Sequence, residues 1–357
     1  MVDVAIVGAG PAGSACALTL RAHAPSLSVA LFEASHFETP RLGETLPPAA
    51  RTLLDQLGVF EAFRASRHRE VHGTASAWGS ARPIDNDFVF FAHGPGWHLD
   101  RTAFDRMLAE EAEKRGVAVR MGTPVHELDL DARFVVDATG SAAVATRAFG
   151  ARFVTIDHLV SFVRFYDSAG DGDPRTLVEA FSDGWWYTAA LPNGGRVIAC
   201  MTDADIARRM SLSEEAAWEA AVDAMPLIGA IARKASGAGD IVARSTESRR
   251  LEPPCGDGWL AAGDAASRFD PLSSQGITKA LRSGIFAAYA IGDLLADHTD
   301  RGLRGYERFI RAEFEAYRAA RATNYGNEQR WPESAFWTRR LLLHRTDLRD
   351  ERLDVRG

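Results

Sequence analysis

The sequence predicts an α/β protein whose first domain is built on a parallel sheet with flanking helices. Two observations predict this class. A short apolar strand, a glycine-rich turn, a helix and a second apolar strand follow one another within residues 3–32. Another apolar strand and glycine-rich turn recur near residue 264. Strands that alternate with helices in this way are typical of parallel sheets.

The first turn reads Gly8-Ala9-Gly10-Pro11-Ala12-Gly13 and precedes a helix predicted over residues 12–23. In dinucleotide-binding turns the first glycine permits a tight turn, the second lets a pyrophosphate approach the backbone, and the third allows close packing of helix on strand. Glu33 follows 20 residues after Gly13, where an acidic side chain accepts hydrogen bonds from ribose hydroxyls. The pattern therefore predicts a dinucleotide whose phosphates meet the helix N-terminus.

The second turn predicts the other half of the same site. An apolar strand over residues 259–262 runs into Gly263-Asp264-Ala265-Ala266, and a loop with Pro271 and Gly276-Ile277 leads into a helix predicted over residues 278–295. Free N–H groups at a helix N-terminus stabilise an anion. This helix start therefore suits an anionic group.

The segment from Gly263 to Ile277 resembles the GDAA…DPLSGQGI segment of flavoproteins built like p-hydroxybenzoate hydroxylase. The resemblance implies a Rossmann-like FAD-binding domain, an inserted mixed-sheet substrate domain and a C-terminal helical segment. It also implies that Asp264 binds the ribityl chain, that the backbone at Gly276 and Ile277 faces the pyrimidine end of the flavin, and that Arg101 reaches the FAD phosphates. By the same resemblance further FAD contacts come from Gly8, Gly10, Pro11, Ala12, Gly13, Glu33, Ala34, Arg41, Thr45, Val125, Gly263 and Pro271.

Three other segments narrow the resemblance to one branch. Residues 41–48, RLGETLPP, resemble a loop of flavin-dependent halogenases and geranylgeranyl-type reductases, and residues 184–192, GWWYTAALP, resemble a strand of their substrate domain. Residues 325–339 are similar to a C-terminal segment of flavoproteins that mature tryptophan-derived quinone cofactors.

Two departures from the resembling families guide the functional expectation. Halogenases use a lysine supplied early in the chain and a WxWxIP motif, whereas the first lysine here is Lys114 and the motif region reads WWYTAALP. Halogenation is therefore disfavoured at this point. The aromatic hydroxylases carry a DG motif tied to reduced nicotinamide, and the comparable turn here reads Asp137-Ala138-Thr139-Gly140. Electrons are therefore expected from a partner reductase or by slow direct reduction.

Composition limits the classes of partner. A net charge of −7 argues against a nucleic-acid footprint, and no apolar run reaches the roughly 18 residues of a membrane span. The three cysteines, Cys16, Cys200 and Cys255, lack metal or disulfide spacing, and no histidine pair has helical metal spacing, so no metal is expected. The N-terminus lacks a secretory pattern, which predicts a cytoplasmic protein.

The chain length of 357 residues predicts two closely packed domains or one enlarged domain. The FAD-binding domain is expected to be discontinuous, with residues 1–70, 98–155 and 246–300. The substrate domain is expected to take residues 71–97 and 156–245, with a helical segment over residues 213–234. Residues 301–357 are expected to form a C-terminal helical region.

The function expected from these observations is an FAD-dependent monooxygenase that hydroxylates an aromatic group, with indole or a peptidyl tryptophan as candidates. Catalytic candidates are Glu44, His98 and Trp186: His98 as a general base or a structural residue, and Trp186 as a stacking surface or core residue. An FAD-dependent reductase of carbon–carbon double bonds and a flavin-bearing binding protein stay open as alternatives. Peroxyflavin formation, alkene reduction or redox inertness would separate the three.

A macromolecular substrate is suggested by the C-terminal region, in which arginines accompany aromatic residues as they do at protein interfaces. The other interpretation is an amphipathic helix with solvated arginines. The residues concerned are Arg308, Arg311, Arg318, Arg321, Tyr325, Arg330, Trp331, Phe336 and Trp337.

Overall fold

A computed structural model describes residues 1–88, 93–128, 130–170 and 173–341, and for Thr146 and Asp297 it describes the backbone alone. The chain divides into two compact units. The first comprises Met1–His68, Leu99–Ile156 and Ser248–Phe314, and the second comprises Arg69–His98, Asp157–Glu247 and Glu315–Gly357.

The strands are, in chain order, β1 (Val2–Val7), β2 (Val29–Phe32), β3 (Thr45–Leu46), β4 (Arg69–Val71), β5 (Gly73–Ala77), β6 (Ile84–Asp87), β7 (Gly96–His98), β8 (Ala118–Arg120), β9 (Ala132–Asp137), β10 (Arg152–Thr155), β11 (Leu159–Ser168), β12 (Thr176–Phe181), β13 (Gly184–Ala190), β14 (Arg196–Asp203), β15 (Ser236–Ala238), β16 (Val242–Ser245), β17 (Arg249–Glu252), β18 (Cys255–Gly256), β19 (Trp259–Ala261) and β20 (Ser267–Arg268).

The α-helices are α1 (Pro11–His23), α2 (Ala50–Gln56), α3 (Phe60–Ala65), α4 (Arg101–Lys114), α5 (Ala145–Phe149), α6 (Ala204–Arg209), α7 (Glu215–Asp223), α8 (Pro226–Ala232), α9 (Gly276–Asp297) and α10 (Arg301–Gly326). None of the described helices combines the length and the apolar composition that a bilayer crossing requires.

The first unit is built on a sheet of six strands in the order β18-β19-β9-β1-β2-β8. The pairs from β19 to β8 are parallel, and β18 joins as an antiparallel edge strand. β1 is central and pairs on both sides, with Ile6 opposite Leu31 and Val136. These three side chains are fully buried, as the near-continuous apolar strands of a parallel sheet covered on both faces require. β10, β17 and β20 form a smaller antiparallel sheet.

Helices α1 and α9 pack closely against each other within the first unit. A Cβ atom at Gly284 of α9 would collide with the carbonyl oxygen of Ala12 and lie 3.0 Å from the backbone nitrogen of Cys16. Only glycine therefore lets the two helix backbones approach this far. Because α1 follows the first glycine turn and α9 follows the second, this packing holds the two turns in one place.

The second unit is built on a mixed sheet in the order β15-β11-β14-β13-β12-β5-β6, and β16 also pairs with β11. Only the β5–β12 pair is parallel among these described strands. Trp186 of β13 packs against Trp218 of α7, with ring centroids 5.1 Å apart. Both rings are fully buried, so they form part of this unit's hydrophobic core.

The segment expected to be helical, residues 213–234, contains two short helices, α7 and α8, and α8 begins at Pro226. Proline has no backbone N–H to donate and clashes with the preceding turn, so it begins a helix more readily than it continues one.

The C-terminal segment begins with a long helix, as expected, because α10 covers Arg301–Gly326. The boundary between the two units falls within this helix, after Phe314, and residues 342–357 of the predicted region lie outside the described residues. Tyr325, Phe336 and Trp337 are buried in the second unit rather than exposed for docking.

The arginines of this segment are mostly paired within the chain. Ion pairs join Arg311 to Glu307, Arg318 to Glu315, Arg321 to Asp157, Arg330 to Glu328 and Arg340 to Asp203. The structure therefore favours the amphipathic, packed interpretation of the C-terminal segment over a docking surface.

Candidate cofactor site

The glycine turn after β1 has the geometry that its residue types require. Gly8 has φ +102°, and a Cβ atom there would collide with the backbone carbonyl of Ala138. A Cβ atom at Gly13 would collide with the carbonyl oxygen of Gly8. The turn is therefore tight, and α1 packs directly on it.

Gly10 faces open space. No atom lies within 4 Å of the position that a Cβ atom would take, and Gly10 has an ordinary extended backbone, with φ −70° and ψ −174°. It is the N-cap of α1, where it provides no side-chain hydrogen bond, and Pro11 is the first helical residue. The backbone N–H groups of the first helical turn have no intrahelical acceptor, so they are available to an anion such as a pyrophosphate.

Glu33 follows β2 and is buried beside the turn. Its Oε2 accepts a hydrogen bond of 3.0 Å from the backbone N–H of Ala9, and its Oε1 accepts hydrogen bonds from Ser35 and from the Arg41 guanidinium at 2.9 Å. Burial alone would raise the pKa of Glu33, but the Ser35 hydrogen bonds and the Arg41 charge outweigh it and lower the pKa below its usual value. A carboxylate oxygen can accept more than one hydrogen bond, so Glu33 keeps capacity for ribose hydroxyls.

Arg41 and Arg101 share one buried carboxylate. Asp105, fully buried on α4, accepts a hydrogen bond of 3.0 Å from Arg41 and two of 3.1 Å from Arg101. Arg101 also donates to the carbonyl oxygen of Leu42. Asp105 therefore fixes both guanidinium groups and the loop between residues 41 and 43.

Asp264 and Lys279 form the corresponding pair in the second half-site. The Lys279 ammonium lies 2.6 Å from Asp264 Oδ1 and also donates to the carbonyl oxygen of Ser267. Burial alone would raise the pKa of Asp264, but the charge and hydrogen bond of Lys279, aided by Arg268 and Arg101, lower it. Asp264 is therefore an ionised acceptor at neutral pH.

The two half-sites meet. A Cβ atom at Gly263 would lie 2.8 Å from the Cβ of Ala12, so the second glycine turn touches the start of α1. The charge of Arg101 is close enough to lower the pKa of Asp264. Charges of alternating sign thus connect the halves, in the order Glu33, Arg41, Asp105, Arg101, Asp264 and Lys279.

The N-terminus of α9 repeats the open geometry at Gly10. No atom lies within 4 Å of a Cβ position at Gly276, and the N-cap residue Gln275 makes no side-chain capping bond. The preceding 3-10 turn begins at Pro271, and Asp270 caps it by accepting a hydrogen bond of 2.9 Å from the backbone N–H of Leu272. The N–H groups of Ile277 and Thr278 are therefore available to an anionic ring edge, whereas the N–H of Lys279 donates to the Gln275 carbonyl oxygen at 2.8 Å.

The remaining sequence-predicted contacts lie around this site or beside it. Ala34 is exposed directly after Glu33, and Thr45 is partly buried on β3. Val125 is partly buried in the loop after β8, two residues beyond Thr123, whose backbone N–H donates to the Glu33 carbonyl oxygen at 2.8 Å. All three belong to the first unit.

These residues fit FAD. The space at Gly10 and the free N-terminus of α1 suit a pyrophosphate, the ionised Glu33 suits a ribose, and the ionised Asp264 suits a hydroxylated chain. The open N-terminus of α9 suits the anionic end of a reduced flavin.

His98 is a structural residue in this fold. It is fully buried in the second unit, its Nδ1–H donates to the Ala190 carbonyl oxygen at 2.7 Å, and the Thr176 hydroxyl donates to its Nε2 at 2.9 Å. Burial lowers the pKa of His98 to about 4, so the ring is neutral at pH 7. Both ring nitrogens are occupied by the chain itself, which argues against the candidate role as general base.

The other two catalytic candidates are also buried. Trp186 is fully buried in the core of the second unit, so the core interpretation replaces the stacking surface. Glu44 is buried in the first unit, where its Oε1 accepts a hydrogen bond of 3.2 Å from Gly43 and its carbonyl oxygen accepts one of 2.7 Å from Leu99. A catalytic role of Glu44 stays a prediction.

Sequence reasoning missed Asp105 and Lys279. Asp105 follows Arg101 by four residues, which reads as an ordinary helix-surface pair. Lys279 carried a detectable signal, because it shares a helix face with Ser283 and Ala287 at spacings of four residues, and both of those are buried. A lysine on the buried face of a helix requires a counter-charge, and Asp264 supplies it.

The chain matches known flavoproteins along most of its length. The family described as an FAD binding domain matches residues 1–315. LodB of Marinomonas mediterranea, named as an FAD-dependent oxidoreductase, is 29% identical over 95% of this chain and 96% of its own length. The 1H-pyrrole-2-carbonyl-[peptidyl-carrier protein] brominase of Pseudoalteromonas luteoviolacea is 27% identical over 81% of this chain and 77% of its own.

Solved structures share the fold. The flavin-dependent halogenase CmlS superposes with a TM-score of 0.82 at 27% identity, covering 95% of this chain and 67% of its own. The peptidyl tryptophan dihydroxylase QhpG, essential for tryptophylquinone cofactor biogenesis, gives 0.71 at 25% identity, covering 95% and 78%. The finer resemblance to quinone-maturing flavoproteins stays a prediction.

The expected function, an aromatic hydroxylase with halogenation disfavoured, is wrong. The relatives and structural neighbours are chiefly flavin-dependent halogenases. The absence of an early lysine does not decide between hydroxylation and halogenation, because a halogenase and a peptidyl tryptophan dihydroxylase both share this fold.

The matched residues span both glycine turns, Glu33 and the Asp264 pair, which together form the site described above. The chain therefore belongs to the FAD binding domain family and is an FAD-dependent oxidoreductase.

Proposed function

We propose that this protein is a flavin-dependent halogenase that replaces a hydrogen of an electron-rich aromatic ring by chlorine or bromine. The observation that carries the proposal is the 27% identity, over 81% of this chain, to a protein named as a pyrrole brominase. The 27% identity to the halogenase CmlS over 95% of this chain supports it.

The FAD would be held by the first unit. Gly8, Gly10 and Gly13 with the N-terminus of α1 would accept the pyrophosphate, and Glu33 would bind the adenosine ribose. Arg41, Arg101 and Asp264 would line the path toward the flavin, where the N-terminus of α9 begins. Pro11, Ala12, Ala34, Thr45, Val125, Gly263, Pro271, Gly276 and Ile277 are the remaining proposed contacts.

Bound FAD supplies the reaction of reduced flavin with oxygen. In the overall reaction one O2 accepts four electrons and becomes two waters. Two of these electrons come from reduced FAD, and two are released when the halide replaces the hydrogen of an aromatic C–H bond. The chain's own contribution would be to hold the cofactor at the N-termini of α1 and α9 and to keep Glu33 and Asp264 ionised as acceptors.

The chain would direct the halogenating oxidant without an early lysine. Its lysines are Lys114, Lys234 and Lys279. Lys114 is exposed and paired with Glu111, Lys234 is exposed, and Lys279 is buried against Asp264. None of the three lies before residue 114, so the oxidant would be oriented without an early lysine.

The proposed substrate is an aromatic ring that a carrier or peptide presents. One relative is named for a pyrrole bound to a peptidyl-carrier protein, and one structural neighbour for a peptidyl tryptophan. The proposed electron donor is a separate flavin reductase, because the turn at Asp137 to Gly140 lacks the motif tied to reduced nicotinamide.

The proposal is tested by supplying the purified holoprotein with a flavin reductase, NADH, oxygen and bromide. The aromatic acceptors are pyrrole-2-carboxylate, tryptophan, a tryptophan-containing peptide and a carrier-bound pyrrole. The expected product is a brominated ring, identified by the bromine isotope doublet in its mass spectrum.

Omission of bromide and omission of the reductase are the controls, and each should abolish that product. Formation of an oxygenated product that is unchanged by removing bromide, with no halogenated product from any acceptor, would overturn the proposal.

A further inference from the structure

We propose that Lys279 is a positioning residue of the FAD site, whose buried ammonium holds one oxygen of Asp264 and leaves the other as the acceptor for the ribityl hydroxyls. The inference deepens the proposed function, because it rests on the proposed role of Asp264 in binding FAD.

The geometry separates the two oxygens of Asp264. Oδ1 lies 2.6 Å from the Lys279 ammonium, whereas Oδ2 lies 4.0 Å from the Arg268 Nε and outside hydrogen-bond range of it. The Lys279 side chain is 0% exposed, while the Asp264 side chain is 39% exposed. Lys279 therefore contacts Asp264 from the protein interior, and the Oδ2 side of the carboxylate faces away from Lys279.

Lys279 is itself held in place by its surroundings. Its ammonium donates to the carbonyl oxygen of Ser267 and lies 5.1 Å from the centre of the Phe269 ring. It begins the second turn of α9, the helix whose N-terminus borders the proposed flavin position. A group fixed by three contacts orients its partner with little loss of conformational freedom on binding.

A purely structural ion pair is the competing interpretation, because breaking any buried pair leaves an uncompensated charge and lowers stability. The two interpretations differ in FAD affinity. If Lys279 acts through Asp264, replacing Lys279 should lower the affinity for FAD only when residue 264 is an aspartate.

The experiment is a double-mutant cycle on the FAD dissociation constant. FAD is removed from the wild type, Lys279→Met, Asp264→Asn and the double variant, and rebinding is followed by quenching of FAD fluorescence. Each single change should weaken binding about tenfold or more, the order of one lost charge-assisted hydrogen bond. The double variant should bind no more weakly than Asp264→Asn alone.

A matched control is Arg282→Met, one turn further along α9. Arg282 pairs with Glu313, whose side chain is 9% exposed, so this change also breaks a partly buried pair without touching Asp264. Its FAD affinity should stay at the wild-type value. If Lys279→Met does not fold, Lys279→Arg keeps the charge and displaces the donor, and it should bind FAD more weakly than the wild type.

The pH dependence of FAD affinity is a second measurement, and a purely structural role of Lys279 would not change it. Lys279, Arg268 and Arg101 face Asp264 and lower its pKa, and Glu313 faces Lys279 from α10. Removing the Lys279 charge raises the pKa of Asp264, so FAD affinity of Lys279→Met should fall as the pH is lowered, where the wild type stays constant.

Lys279→Met and Lys279→Arg binding FAD like the wild type, or effects in the cycle that simply add, would overturn the inference. Wild-type affinity in Asp264→Asn would instead overturn the role of Asp264 in the proposed cofactor site, and the two failures are therefore distinguishable.

Discussion

His98 has both ring nitrogens hydrogen-bonded inside the second unit, to the Ala190 carbonyl oxygen and the Thr176 hydroxyl. Burial lowers its pKa from the ordinary 6.5 to about 4, and the charges of Arg69 and Arg196 act in the same direction. The unfolded chain therefore binds a proton at a higher pH than the folded protein does. Below pH 6.5 the folded state loses stability progressively, until the pH approaches 4.

This effect predicts a pH-dependent stability that His98→Gln removes. Between pH 7 and pH 5 the His98 contribution should lower the free energy of unfolding by about 2 kcal/mol. Urea unfolding at both pH values measures it, and the loss on acidification should be smaller by that amount in the variant. His126→Gln, at an exposed site, is the control and should retain the wild-type loss. Equal losses in wild type and His98→Gln would contradict the structural role.

Residue types with a backbone requirement could be predicted from the sequence. Gly8 and Gly13 lie where a Cβ atom would collide with the backbone, as the spacing of the turn indicates. Asp105 and Lys279 could not be placed in this way, because their role depends on which distant charge they meet. The roles of His98 and Trp186 depend on burial, which the local pattern does not reveal.

At the scale of elements, the contact between α1 and α9 joins the two halves of the site. Gly284→Ala should destabilise the protein by about 1–3 kcal/mol, because its methyl group would collide with the Ala12 carbonyl and force the helices apart. Equilibrium urea unfolding measures the change. Gly305→Ala on α10 is the matched control, since the nearest atom would be an Arg308 guanidinium nitrogen at 4.0 Å.

The control should be neutral or stabilising by up to about 1 kcal/mol, because alanine favours helix more than glycine does. A Gly284→Ala variant as stable as the Gly305→Ala variant would show that the close approach of α1 and α9 does not constrain the fold.

Elements with strong periodicity were predicted closely. The helices expected over residues 12–23 and 278–295 are Pro11–His23 and Gly276–Asp297 in the structure. The helical segment predicted over residues 213–234 is divided into two helices because Pro226 begins a new one. For the C-terminal segment the sequence left a docking surface and a packed helix open, because an arginine-rich sequence looks the same whether its charges are solvated or paired. The buried aromatic residues and the ion pairs of the structure favour the packed helix.

At the scale of the whole molecule, the turn after β9 bears on which electron donor reduces the FAD. Asp137 is fully buried and accepts hydrogen bonds from Thr139 and Ala145, so its carboxylate serves the turn itself. We expect NADPH alone to reduce the bound FAD far more slowly than a flavin reductase with NADH does. Anaerobic bleaching of the oxidised-flavin absorbance measures both rates, and equally fast reduction by NADPH alone would contradict the proposed reductase partner.

The function also depends on the whole chain rather than on one motif. The absence of an early lysine pointed away from halogenases, whereas similarity along most of the chain points toward them. A single lysine concerns one step of a reaction, whereas similarity over most of the chain concerns both the cofactor region and the substrate region. The sequence alone could therefore predict FAD, but not which oxidation the FAD supports.

The most direct test of the central claim is the FAD content of the purified protein and of Gly10→Val. The Cβ of a valine there would have no protein atom within 4 Å, and valine suits the extended backbone, so the fold should be intact. Its side chain would occupy the space proposed for the pyrophosphate. Gly326→Val, at another glycine with no atom near its Cβ position, is the control. Flavin released on denaturation should amount to one FAD per chain in the wild type and Gly326→Val and to almost none in Gly10→Val, whereas full FAD occupancy in Gly10→Val would contradict the site.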